Sequence, residues 1–224
     1  VFLAKNTSTV PQGKISKYSW YLNNTYRGDS TILHFSQPSW GSFPLKLKAE
    51  TDSMCNDSIE KQLTVHPQNT LDIQVNAAIQ CEQNNLFTFT NNSWLPLGTA
   101  TYKWDISTGT SFIGDNLPPQ KFGLAGGYFV KVFSETDKGC KDTTRLLLKV
   151  LFNPSVDFTV KDVCENDSAF FKNTSTYSGG NSAQWFWDFG DGNTATKKEP
   201  KHQFPAAGYY TVTQIGISSE GCSD

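Results

Sequence analysis

Trp185-Phe186-Trp187-Asp188-Phe189-Gly190-Asp191-Gly192 runs an aromatic stretch straight into a glycine-rich turn. Successive side chains of a strand point to opposite faces. Trp185, Trp187 and Phe189 therefore share one face, while Phe186 and Asp188 share the other. Three large rings on one face predict a core strand. Gly190-Asp191-Gly192 supplies residues that tolerate positive φ, which a tight hairpin needs if its twist is to match the strands it joins. The chain is expected to fold back at once.

Outward from this stretch, the same landmarks recur. The aromatic strand reappears as Tyr18-x-Trp20-x-Leu22 and Tyr102-x-Trp104-x-Ile106. Asn6-Thr7-Ser8-Thr9 matches Asn173-Thr174-Ser175-Thr176, with Asn91-Asn92-Ser93 between them. Gly41-Ser42-Phe43, Gly127-Tyr128-Phe129 and Gly208-Tyr209-Tyr210 open a later strand, and Ala49-Glu50-Thr51-Asp52 parallels Ser134-Glu135-Thr136-Asp137. The cysteines keep the same register: 164 − 81 = 83, 222 − 140 = 82 and 140 − 55 = 85 positions. Self-similarity at a fixed period is the signature of a repeat array.

Each repeat reads as about seven short strands with frequent turns and no sustained helical periodicity. The expected fold is all-β, three tandem immunoglobulin-like β-sandwich domains with the first and last incomplete. In the third, Val156, Phe158 and Val160 are expected to alternate inward, followed by strands over Ala169–Lys172, Trp185–Phe189 and Tyr210–Ile217. Arg145–Phe152 should close the middle one as a buried strand. Boundaries fall near His66-Pro67-Gln68-Asn69 and Asn153-Pro154, where proline interrupts pairing, giving domains 1-67, 68-153 and 154-224. The first would lack its opening strand and first cysteine, the third its last strand, as in a window on a longer array.

The net charge is −2, from 19 basic and 21 acidic residues, and no basic cluster carries interleaved aromatics, which argues against nucleic acid. The longest apolar run, Leu146–Phe152, is interrupted by Lys149 and is far shorter than a membrane helix. Cys81 and Cys140 are 140 − 81 = 59 positions apart, and Cys164 and Cys222 are 222 − 164 = 58 apart. This matching internal measure predicts disulfides Cys81–Cys140 and Cys164–Cys222, each contributing about 4 kcal/mol in the chain-entropy picture. Cys55 is left to pair with a partner upstream of the segment. Such bridges imply an oxidising, extracellular setting.

Trp187-Asp188-Phe189-Gly190-Asp191-Gly192, then Pro200-Lys201-His202-Gln203-Phe204 and Gly208-Tyr209-Tyr210-Thr211-Val212, resembles the signature of the PKD (polycystic kidney disease) domain. The first two copies depart from it, carrying Tyr21-Leu22-Asn23-Asn24 and Asp105-Ile106-Ser107-Thr108-Gly109 in place of the acidic glycine turn. The added cysteines, the second followed by Asp and then Ser or Thr, resemble tandem repeats of large Bacteroidota cell-surface proteins such as gliding-motility adhesins of the SprB type. That resemblance implies export through the type IX system and a place on the bacterial cell surface.

Several residues are candidates for chemistry. Asp188 and Asp191, with Asn193, offer oxygen ligands to calcium; the alternative is that Asp191-Gly192 is turn chemistry and Asp188 an outward residue that hydrogen-bonds a neighbouring loop. His34, His66 and His202 sit apart in sequence with no nucleophile motif, and His202 falls inside the family motif, where a structural hydrogen bond is expected. No catalytic set emerges. Trp20, Trp104 and Trp187 occupy equivalent core positions and Trp185 matches Tyr18 and Tyr102. Trp40 and Trp94 have no such counterparts and are the candidates for glycan contact. Ser30, Ser53, Ser58, Thr143 and Ser168 each follow an Asp in a pattern that resembles the Bacteroidota O-glycosylation sequon; turn-to-strand composition gives the same pattern.

The expected function is that of a non-enzymatic stalk or spacer in a large surface adhesin. Its partners would be neighbouring repeats of the same polypeptide and a surface polysaccharide or other cell-surface proteins. The alternative is a carbohydrate-binding accessory region of a secreted hydrolase.

Overall fold

The computed structural model describes residues 2–179 and 184–224, and these are all-β, with no helix among them. No helix of the described residues is therefore long and apolar enough to cross a membrane. The first repeat contains β1 (Phe2–Lys5), β2 (Ile15–Leu22), β3 (Thr25–Gly28), β4 (Ile32–Phe35), β5 (Gly41–Thr51) and β6 (Asn56–Val65). The middle repeat contains β7 (Ile73–Val75), β8 (Ile79–Cys81), β9 (Phe89–Asn91), β10 (Ala100–Ile106), β11 (Ser111–Ile113), β12 (Gly126–Thr136) and β13 (Lys141–Leu151). The third contains β14 (Phe158–Thr159), β15 (Ala169–Phe170), β16 (Lys172–Asn173), β17 (Gln184–Asp188), β18 (Thr194–Ala195), β19 (Lys201–His202) and β20 (Thr213–Ile217).

One sheet is built the same way three times. Its order is β3-β2-β5-β6 in the first repeat, β11-β10-β12-β13 in the middle one and β18-β17-β20 in the third, with the aromatic strand always second. The parallel strand β8 extends the middle sheet at the outer edge of β13. The facing layer is made of short pairs: β1 with β4, β7 with β9, β14 with β16 and β15 with β19. These are tandem β-sandwiches, each with its own buried cluster. Trp20, Leu33 and Leu47 form the first, Phe87, Phe89, Trp104, Val130 and Val132 are in the second, and Ala169, Phe171, Trp187 and Phe189 form the third.

By compactness the chain forms two units. One comprises Val1–Thr70, Ser93–Thr101 and Ser134–Asp142; the other comprises Leu71–Asn92, Tyr102–Phe133 and Thr143–Asp224. The long strands β10, β12 and β13 contribute residues to both, so units and repeats do not coincide.

Several expectations shift in detail. The strand closing the middle repeat starts earlier, at Lys141, and only alternate side chains are buried: Leu148 and Val150 face the core while Leu147 is exposed. Val156 and Phe158 turn inward, but Val160 is exposed. The glycine-aromatic landmark is also one residue out of register. The Tyr128 hydroxyl donates to the Leu124 carbonyl at 2.7 Å and the Tyr210 hydroxyl donates to the Ala206 carbonyl at 2.9 Å. This shared corner makes Tyr128 the counterpart of Tyr210, and Gly126 that of Gly208.

Candidate functional site

The aromatic strand anchors each sandwich through one repeated hydrogen bond. The indole N–H of Trp20 donates to Ser30 O, that of Trp104 to Gly114 O and that of Trp187 to Lys197 O, each at 2.9 Å. The acceptor lies ten residues on in every copy. A buried tryptophan needs a partner for its one polar atom, and here that partner fixes the strand that follows the turn. In the third repeat Phe158 and Phe171 pack on the Trp187 ring at 5.1 and 5.5 Å between centroids.

The turn after β17 is held by its own acids. Asp188 Oδ1 accepts the Gly190 N–H at 2.9 Å, and Asp191 Oδ1 accepts the Asn193 N–H at 3.0 Å. The second oxygen of Asp191 meets Nε2 of His202 at 2.7 Å, with its side chain almost fully covered. The His202 ring stacks on Phe189 at 4.1 Å and meets Phe204 edge-on. Burial works against ionisation of Asp191, but hydrogen bonds from His202 and Asn193 outweigh it and hold the carboxyl below its ordinary range. Both Asp191 oxygens are thus engaged in structural bonds. Among the described residues no group of three or more His, Cys, Asp or Glu could hold a metal ion. In the middle repeat Asp105 stands where Asp188 does, yet it accepts from the Ser111 hydroxyl at 2.6 Å and pairs with Lys103 instead. The first repeat uses another solution, a two-residue hairpin with Asn23 and Asn24 at φ 48° and 61°.

The disulfide pairing departs from the expectation. Cys81 is bonded to Cys222, across 141 positions, while Cys55, Cys140 and Cys164 are free thiols. Strand geometry explains why Cys81–Cys140 does not form. Cys81 pairs with Leu151 at the far end of β13, whereas Cys140 immediately precedes Lys141 at its start. Eleven positions of extended chain at about 3.3 Å each separate the two ends by roughly 35 Å, and a disulfide requires Cα atoms within about 7 Å. Cys164–Cys222 does not form either: Cys164 opens a turn ahead of β15 as a free thiol, and the Cys222 sulfur is bonded to Cys81. A matching internal interval identified equivalent cysteines; it did not identify partners.

Around Cys81–Cys222 a polar network joins the middle repeat to the third. The Asn153 side chain accepts the Gln83 N–H at 2.9 Å and donates to the Ser223 carbonyl at 2.7 Å. Asp224 accepts the Val156 N–H at 2.9 Å and the Gln83 amide at 3.1 Å, bonds that lower its pKa against a smaller opposing effect of burial. The Glu82 N–H donates to the Leu151 carbonyl at 2.8 Å. The hairpin carrying Cys222 recurs in each repeat. Thr51, Thr136 and Ser218 use the side-chain oxygen to accept the cysteine N–H, and their own N–H donates to the cysteine carbonyl.

The remaining candidates lie on the surface. Trp40 and Trp94 are 53% and 64% exposed. Ser30, Ser53, Ser58 and Thr143 are exposed, while Ser168 is half-buried. His34 and His66 are exposed, apart from the Asp191–His202 pair. A groove of about 630 Å³ in the first repeat runs over Ala4, Trp20, Leu47 and Ala49, with Cys55 among its lining residues. Sequence reasoning had no signal for this groove, because it reflects how two layers meet.

Residues 152–224 match the PKD domain family. The PKD match covers the third repeat, where the acidic glycine turn is intact. A 60-residue stretch is 40% identical to the pre-pro-metalloprotease PrtV of Vibrio cholerae, covering 27% of this chain and 6% of that protein. A 52-residue stretch is 40% identical to the microbial collagenase of Vibrio alginolyticus, covering 23% and 6%. The chain thus spans about 6% of the length of the curated relatives it matches. The crystal structure of the PKD1 domain from V. cholerae PrtV aligns at 23% identity and a TM-score of 0.32, over 38% of this chain and 98% of that one.

Proposed function

We propose that this chain is an extracellular, non-enzymatic repeat segment, three beads over 1-67, 68-153 and 154-224, that spaces and displays the adhesive part of a large bacterial surface protein. The observation that carries the reading is the Cys81–Cys222 joint, a covalent bond flanked by hydrogen bonds that Gln83 donates to Asn153 and Asp224 and that Asn153 donates to Ser223. Binding pockets gain nothing from such a joint. A spacer does, because it fixes the attitude of one bead on the next. The parent protein is a Bacteroidota surface adhesin, of the gliding-motility kind exported by the type IX route, and its partners are neighbouring repeats and a surface polysaccharide or protein. Asp188 and Asp191 act as turn residues and need no calcium. Small-angle scattering of the whole chain tests the spacer role. An elongated profile that broadens on reduction is expected, and an unchanged profile on reduction would remove the joint from the argument.

A second reading is favoured by two observations. Trp40 and Trp94 are exposed, and the matching relatives are a metalloprotease and a collagenase. In that reading the beads are accessory carbohydrate-binding modules of a secreted hydrolase. Glycan-array binding that disappears in Trp40→Ala or Trp94→Ala would establish it over the spacer. The five Asp-preceded hydroxyl residues are O-glycan sites of the native protein, and an unmodified intact mass would discard them.

A further inference from the structure

The bonded cysteines occupy two different seats. Cys81 stands at the end of β8, just ahead of the turn that leads into the facing layer, and Cys222 stands in the hairpin of the following repeat. Both seats are duplicated. Cys164 is the copy of the first in the repeat register, 164 − 81 = 83 positions on; it lies outside the strands and opens the turn ahead of β15, with its carbonyl accepting the Asp167 N–H at 3.0 Å. Cys55 and Cys140 hold the second, in hairpins with the same pair of hydroxyl and main-chain bonds as Cys222. The structure therefore contains one completed example of a bond between these seats, and unoccupied copies of each.

The surface beside Cys164 adds an independent observation. Val160, Val163 and Phe170 are exposed there, Phe170 by 70%, around a groove of about 850 Å³. Adjacent apolar side chains left in water favour burial against another surface.

We propose that Cys164 is a covalent docking port for the hairpin cysteine of another repeat of this kind, and that in the isolated chain it takes Cys55 of a second copy. Cys55 is the suitable mate because it is the exposed hairpin thiol; Cys140 is partly covered and Cys222 is already bonded. The rule generalises the observed bond: the first-seat cysteine of one bead joins the hairpin cysteine of the next. The oxidant is a small disulfide such as glutathione disulfide. The thiolate of Cys55 or Cys164 attacks it, releasing one glutathione thiol and leaving a mixed disulfide. The other protein thiolate then displaces the second glutathione, so two thiol protons and two electrons leave the protein as the new S–S bond forms.

The inference rests on the tandem-repeat reading and is indifferent to the choice between spacer and accessory module. The test incubates the full chain in a glutathione redox buffer and maps interchain linkages by non-reducing peptide analysis. A ladder of oligomers whose interchain peptide is Cys55–Cys164 is expected, with Cys81–Cys222 intact in every band. C55S alone and C164S alone should each lose the ladder. Mixing C55S with C164S should restore a dimer that grows no further, since each chain then offers one end. Symmetric Cys164–Cys164 linkages, a dominant Cys140 linkage, or monomer alone would overturn the port. The spacer reading is scored separately, on the scattering of a C55S/C164S double variant that keeps Cys81–Cys222 and forms no ladder, so the two can fail independently.

Discussion

Met54 sits in the first hairpin at φ 62° and 81% exposed, where the other two copies place Gly139 and Gly221 at φ 77° and 89°. A side chain in the left-handed region is strained and glycine is not. Met54→Gly should therefore stabilise the first bead by about 1 kcal/mol, net of glycine's greater freedom when unfolded, as a rise in its urea midpoint. Asp191 gives a pH prediction. Its folded pKa lies below the ordinary value of 3.8, so its contribution is complete above that value and is lost as pH falls through the folded one. Asp191→Asn should flatten the acid limb of the third bead's stability curve, measured by near-ultraviolet circular dichroism between pH 5 and pH 2. At this scale sequence succeeded where chemistry is local. The turn role of Asp191 follows from Asp-Gly spacing, whereas Asp188, expected to bond a neighbouring loop, accepts from Gly190 in its own turn, and Trp40 and Trp94, which lack counterparts, are exposed. It failed for the disulfides, because a sulfur's partner depends on which end of a strand it occupies.

Strand β17 pairs with β20 so that Trp185 faces Gly216. A Cβ on Gly216 would press into the Trp185 ring and Val156. Since the glycine's role here is space and not backbone conformation, Gly216→Val should cost the third bead about 1–3 kcal/mol by overpacking, and Gly216→Ala less, as ordered shifts in thermal midpoint. The repeated indole bond supplies a second test. Trp187→Phe keeps an aromatic ring but leaves the Lys197 carbonyl without its donor, and a loss of about 2 kcal/mol is expected from the orphaned acceptor and the vacated volume. The aromatic alternation that marks these strands was legible because period-2 burial is written directly in the sequence. The one-residue slip between Tyr128 and Tyr210 was not. Consecutive aromatics at 128–129 and 209–210 match in either register, and only the hydroxyl contacts to Leu124 and Ala206 decide between them.

At the scale of the whole molecule, the repeat period gave three sandwiches without revealing how successive beads are fastened. Removing the fastening by a Cys81→Ala and Cys222→Ala double substitution should lower stability by up to about 5 kcal/mol in the chain-entropy picture for a 141-position loop. Calorimetry should show the third bead melting earlier, while a Cys164→Ala control leaves the profile unchanged. The same bond also sets where tension travels. A pull applied at Ser223 reaches Cys222, crosses the sulfur bridge to Cys81 and continues toward the amino-terminal bead, bypassing the chain between them. The bridge locks roughly 480 Å of contour, 141 positions at about 3.4 Å each, out of the path. A stretched, oxidised chain would thus behave as a short tether with a hard stop. The same chain in reductant would pay out that slack, a difference readable in a force-extension trace.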